Sequence, residues 1–114
     1  MYFKEILHDS KDYGKGNRVV LLMGTRENGI TFEAEEVVDV FQELEDKHVD
    51  GLTIAGDEPL SSQNIPLLTE LCKACKECAP TKTIYCYTGL KPEEVQTLDI
   101  MKYIDGLQEM AVCA

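Results

Sequence analysis

Apolar residues along this chain fall into two rhythms. Short unbroken apolar runs alternate with stretches in which apolar positions recur every three or four residues. Arg18–Met23 (RVVLLM) is a continuous run behind a glycine-containing turn and predicts a buried strand. Val37, Val40, Phe41 and Leu44 then recur at helical spacing, predicting a helix from about Phe32 to Lys47 with Thr31 as its N-cap. Glu33, Glu35 and Glu36 fall in its first turn, where the helix dipole favours negative charge. Gly51–Ala55 (GLTIA) predicts a second strand. Ile65, Leu68, Leu71, Cys72 and Cys75 mark one face of a second helix from about Ser62 to Cys78, with Pro80 just past its end. Thr83–Tyr87 (TIYCY), rich in β-branched and aromatic residues, predicts a third strand. Pro92 opens a short third helix to about Asp99, and the weakly patterned stretch Tyr103–Val112 leaves room for a fourth strand.

Strands alternating with helices imply βαβ units and a parallel α/β sheet. The steps are too few to close an eight-stranded barrel, so a truncated partial (βα) barrel or an open parallel sheet is expected. With no linker, repeat or low-complexity segment, residues 1–114 read as a single domain. Ligands of such sheets bind at the C-terminal ends of the strands.

Charge narrows the partners. Twenty-one acids against eleven bases give a net charge of −10, which argues against nucleic acid and against an anionic membrane surface. No apolar run approaches the ~18 residues of a spanning helix and no signal-peptide pattern is seen, so a cytoplasmic location is expected. Five cysteines, Cys72, Cys75, Cys78, Cys86 and Cys113, are odd in number and unevenly placed, which favours reduced thiols or a metal site over a disulfide framework.

Candidate chemistry sits at the strand ends. Gly51-Leu-Thr-Ile-Ala-Gly-Asp-Glu-Pro-Leu60 follows strand two, Tyr87-Thr88-Gly89 follows strand three, and Asp12-Tyr-Gly-Lys-Gly-Asn-Arg18 precedes strand one. Gly14-Lys15-Gly16 lacks the Walker A spacing. His8 and His48 are isolated, and His48 reads as a dipole partner near the end of the first helix. The acidic run Glu43, Glu45, Asp46 reads as a solvated face.

In this order the three segments resemble the radical S-adenosylmethionine (SAM) superfamily, in the branch of the activating proteins of anaerobic ribonucleotide reductase and, more distantly, of pyruvate formate-lyase. The resemblance covers about Tyr13 to Gly89 and is most specific over Gly51–Leu60. It implies a radical-SAM-like fold in which Gly56, Asp57, Glu58 and Pro59 hold the amino group of SAM or a related ligand, with Thr88 lining the same edge. An ammonium needs acceptors in a concave loop, and glycine lets backbone approach closely. It also implies a protein partner, a glycyl-radical-enzyme-like subunit.

The family's CxxxCxxC motif after the first strand, which holds a [4Fe–4S] cluster, has no counterpart here: Met23–Thr31 contains no cysteine. The reading that follows is a cluster-less relative, a pseudoenzyme with no catalytic residue and no metal, in which a [4Fe–4S] cluster is not expected and a binding or regulatory role replaces reductive cleavage of SAM. The alternative is an iron–sulfur activating enzyme whose cluster is held by Cys72, Cys75 and Cys78. Their C-x₂-C-x₂-C spacing opens a bacterial ferredoxin motif. Their place on the apolar stripe of a helix instead reads as core packing.

Overall fold

A computed structural model describes residues 1–109. Cys113 and the end of the Tyr103–Val112 stretch lie outside the described residues. Six strands form one sheet: β1 (Tyr2–Ser10), β2 (Arg18–Gly24), β3 (Ile30–Thr31), β4 (Gly51–Gly56), β5 (Thr83–Thr88) and β6 (Gly106–Glu109). Their spatial order is β3-β1-β2-β4-β5-β6. From β2 to β6 all pairing is parallel, with Leu21 beside Ile54 and Ile54 beside Cys86. The apolar runs thus become parallel neighbours as expected.

The expectation of a wholly parallel sheet is corrected at one side. β1 lies antiparallel to β2, and β3 lies antiparallel to β1, so the sheet is mixed. It ends on different strands, β3 and β6, so the described residues form an open mixed sheet.

Alternation along the strands assigns the two faces. Val19, Leu21 and Met23 of β2, Leu52 and Ile54 of β4, and Ile84 and Cys86 of β5 point into the core. Two helices complete it: α1 (Ala34–Leu44) through Val40 and Leu44, and α2 (Ile65–Cys78) through Leu68, Leu71, Cys72 and Cys75. A short α3 (Pro92–Val95) and a 3-10 turn at Asp99–Lys102 add Val95 and Ile100 to the same side.

Helix starts differ from expectation. Thr31 is taken up by β3, so Glu33 becomes the residue before α1. That helix ends at Leu44, so His48 lies beyond its last turn and is not a dipole partner. His8 on β1 is not isolated in space, because its Nδ1 meets the Glu43 carboxylate.

Arg18 closes the opposite, N-terminal edge of the sheet. It is fully buried, its guanidinium lies 3.8 Å over the Tyr85 ring, and its N–H groups reach Thr53 Oγ1 and the carbonyls of Lys15, Leu52 and Thr83. Saturating its donors with neutral acceptors and an aromatic face lets a cation sit inside the fold.

Candidate functional site at the strand ends

The turn after β4 is shaped by Gly56, whose φ of +92° lies in the left-handed region. A Cβ there would stand 2.6 Å from the backbone N and O of Met23, so strand β2 approaches too closely for any side chain. The Asp57 amide then donates to the Met23 carbonyl at 3.1 Å, extending the β2–β4 pairing past the strand end. Glycine, not the acid after it, carries the left-handed conformation.

Asp57 and Glu58 project from this turn with different tasks. Asp57 Oδ1 accepts from Lys4 Nζ of β1 at 3.0 Å, and Oδ2 accepts from Asn28 Nδ2 at 2.9 Å. Asn28 in turn caps the Thr25 amide at 2.7 Å. The hydrogen bond from Asn28, then that from Lys4, holds the Asp57 carboxyl below the usual carboxylate range. Glu58 ties β4 to β5: Oε2 accepts from the Leu60 amide at 2.9 Å and from the buried Thr88 hydroxyl at 2.7 Å, and Oε1 accepts from the Gly89 amide at 2.7 Å. Thr88 also accepts from the Leu90 amide at 3.1 Å, so it orients Glu58 and the following turn. Pro59, buried, sets the chain's direction into the turn without an N–H to satisfy.

All five residues expected at the site, Gly56, Asp57, Glu58, Pro59 and Thr88, therefore belong to one strand-edge cluster. Lys4 and Asn28 are the members that sequence reasoning missed. Nothing in a linear pattern marks them, because they lie 53 and 29 positions from Asp57.

Two cavities flank the cluster. One, of about 430 Å³, is lined by Gly24, Thr25, Asp57, Glu58 and the Ser61–Asn64 segment. The other, also about 430 Å³, opens on the sheet face away from the helices, between Lys4, Tyr13, Leu22, Ala55, Gly56 and Tyr87. There Tyr13 meets Tyr87 edge to face, with ring centres 5.9 Å apart.

The cysteines lie elsewhere. Cys72 and Cys75 are buried in the stripe of α2, Cys86 is buried on β5, and Cys78 is exposed at the helix end. Burial pushes the Cys75 and Cys86 thiols up to about 12 and raises Cys72 further.

Comparison with known proteins defines the class. The chain belongs to the family of 4Fe-4S single cluster domains, which it matches over residues 13–112. It is 33 % identical over 78 residues to the anaerobic ribonucleoside-triphosphate reductase-activating protein of Enterobacteria phage T4, covering 68 % of this chain and 50 % of that one. The proteins of the same name from Pasteurella multocida and Haemophilus influenzae are 31 % and 30 % identical over 86 and 83 residues, each alignment covering 69 % of this chain and 54 % of the relative. The chain thus spans about half the length of the curated relatives it matches. No solved structure matches it.

These matches correct two expectations. A cluster-less binding or regulatory protein does not stand against membership in a 4Fe-4S family with activating proteins as relatives, and neither does the expectation that a [4Fe–4S] cluster is foreign to the chain. Both expectations took a missing motif as a missing cofactor, although the family match extends over residues 13–112.

The described thiols, as folded, do not fit a cubane. A cluster needs converging thiolates. Here two thiols of the C-x₂-C-x₂-C set are buried in packing and favour the protonated form, and only Cys78 faces solvent. Among the described residues no group of three His, Cys, Asp or Glu side chains is placed to hold a metal ion. No helix among them is long and apolar enough to cross a membrane.

Proposed function

We propose that this chain is an iron–sulfur protein of the activating type, serving an anaerobic ribonucleoside-triphosphate reductase as its partner. In this reading the Asp57, Glu58 and Thr88 side chains at the ends of β4 and β5 receive the amino group of SAM. The observation that carries the reading is the family match over residues 13–112, joined by relatives whose names state that activity. A radical-SAM-like origin accounts for the order of the three strand-end segments.

The acceptor count supports an ammonium ligand. A carboxylate offers about four lone-pair positions. Glu58 uses three of its own on Leu60, Thr88 and Gly89, and Asp57 uses two on Lys4 and Asn28. What remains is about one on Glu58 and two on Asp57, enough for the three N–H donors of one ammonium. Gly56 lets such a ligand come against the backbone, and the cavity beside Tyr13 and Tyr87 offers aromatic edges to a heterocycle.

Anaerobic reconstitution with iron and sulfide, followed by metal and sulfide counting, tests the cofactor. Equilibrium dialysis with labelled SAM tests the ligand. Retention of iron and sulfide, with SAM retained by the native chain and lost in Glu58→Ala, is expected. A reconstituted chain that keeps neither iron nor SAM refutes the proposal.

A further inference from the structure

An apolar groove runs between α1 and α2, adjoining at Met1 the cavity that flanks the strand-edge cluster. Phe32, Val37 and Phe41 form one wall, and Leu67 and Leu71 form the other, enclosing about 440 Å³. Leu67 is 51 % exposed although it lies on the helix that supplies much of the core. Phe32, Val37 and Phe41 are only half-buried, touching the core from outside. Each element here shows its partner-ready face: the α1 stripe that turns Val40 and Leu44 inward leaves Val37 and Phe41 along the groove.

The groove has a charge. Glu33 and Glu70, both exposed, line it together with the apolar residues, and no Lys or Arg does. We infer that this groove is a docking surface for a protein segment that inserts apolar side chains and flanks them with Lys or Arg. The occupant follows from complementarity. Desolvated apolar anchors supply affinity, and basic flanks meet Glu33, Glu70 and the −10 charge of the whole chain. A second copy of the chain fits poorly. A two-fold contact would be self-complementary and bring the same acids of both copies face to face, inside two molecules of like net charge. A groove between two helices suits an amphipathic helix with anchors at i, i+3 or i+4, and i+7. The inference uses neither the cluster nor the SAM reading, so it stands or falls separately from them.

Two labelled peptides of about 15 residues test it, with identical Leu and Phe anchors at that spacing and flanks of Lys in one and Glu in the other. Fluorescence anisotropy is read with the full chain at low and physiological salt. The Lys-flanked peptide binds more tightly, its affinity falls with added salt, and amide shifts map to Val37, Phe41 and Leu67. Leu67→Asp weakens it by about tenfold or more, as expected for one central anchor. Because Leu67 is half exposed, the melting temperature of that variant stays close to the native value. The double change Glu33→Lys with Glu70→Lys reverses the preference toward the Glu-flanked peptide. Equal binding of both peptides, binding of neither, or a preference that survives the charge reversal overturns the inference. So does a dimer in light scattering that Leu67→Asp dissolves, which would give the groove to a second copy.

Discussion

Removing the Glu58 carboxylate should unfasten β4 from β5 at the strand edge. Three donors converge on it, and one of them, the Thr88 hydroxyl, is 1 % exposed and has no water to turn to. A hydrogen bond to a charged group contributes about 1.5–3 kcal/mol, and a stranded buried donor costs about 1–3 kcal/mol. The Leu60 and Gly89 amides lie nearer the surface and recover part of their loss from solvent. Glu58→Ala is therefore expected to cost roughly 2–4 kcal/mol. At about 4 °C per kcal/mol for a domain of this length, that lowers the melting temperature by roughly 8–16 °C. Glu58→Gln should cost about half as much, since its amide NH₂ must face one of the N–H donors. Thermal and urea unfolding of Glu58→Ala, Thr88→Val and the double variant form a cycle whose coupling energy should reach about 1–2 kcal/mol. Additive losses, or a Glu58→Ala cost below about 1 kcal/mol, would refute the reasoning and return Glu58 to a purely ligand-facing role.

Three further outcomes are expected. The depressed Asp57 carboxyl, held down by Asn28 and Lys4, stabilises the fold above the unfolded-state value near about 3.9, and this contribution is lost as pH falls through the lower folded value. Acid unfolding followed below about pH 4 should thus come at higher pH in Asn28→Ala than in the native chain, and identical acid midpoints would count against the contact. For the helical thiols, Cys75→Ala should cost about 1 kcal/mol or somewhat more through lost packing, and Cys75→Ser more still, because the new hydroxyl is buried without a partner. Alkylation of the folded chain near neutral pH should reach Cys78 long before Cys72, Cys75 or Cys86. Prompt labelling of Cys75 would show that α2 opens there.

Legibility followed burial. Arg18–Met23, Gly51–Ala55 and Thr83–Tyr87 are strands in the structure because each places apolar residues on a face that helices cover, and that requirement is written in consecutive residues. β1 escaped notice because only Phe3 of its nine residues is buried, and register shifts break its alternation between Phe3 and Glu5 and again between Leu7 and Ser10. β3 is two residues long and exists only through pairing with Tyr2 and Phe3, which no local pattern can announce. At the site, the acceptors Asp57 and Glu58 were legible from their motif. The donors that occupy them come from other strands and turns, so the sequence showed the charges and hid their partners. Cys72 and Cys75 packed as the apolar stripe of α2 implied, whereas the expectation against a cluster was corrected by the family match and not by spacing.

The strand order β2-β4-β5-β6 runs in chain order without reversing, and this gives the molecule a handed asymmetry. In a doubly wound sheet the connections change direction midway, so helices cover both faces and a crevice opens where the order turns back. This sheet has no such switch point among the described residues. Its helices gather on one face, and Leu22, Ala55 and Tyr87 lie on the other, beside the loop that carries Tyr13. The groove where α1 and α2 meet lies on the helical face. One-way winding thus puts the cavity beside Tyr13 and Tyr87 and the groove between α1 and α2 on opposite faces of a single sheet.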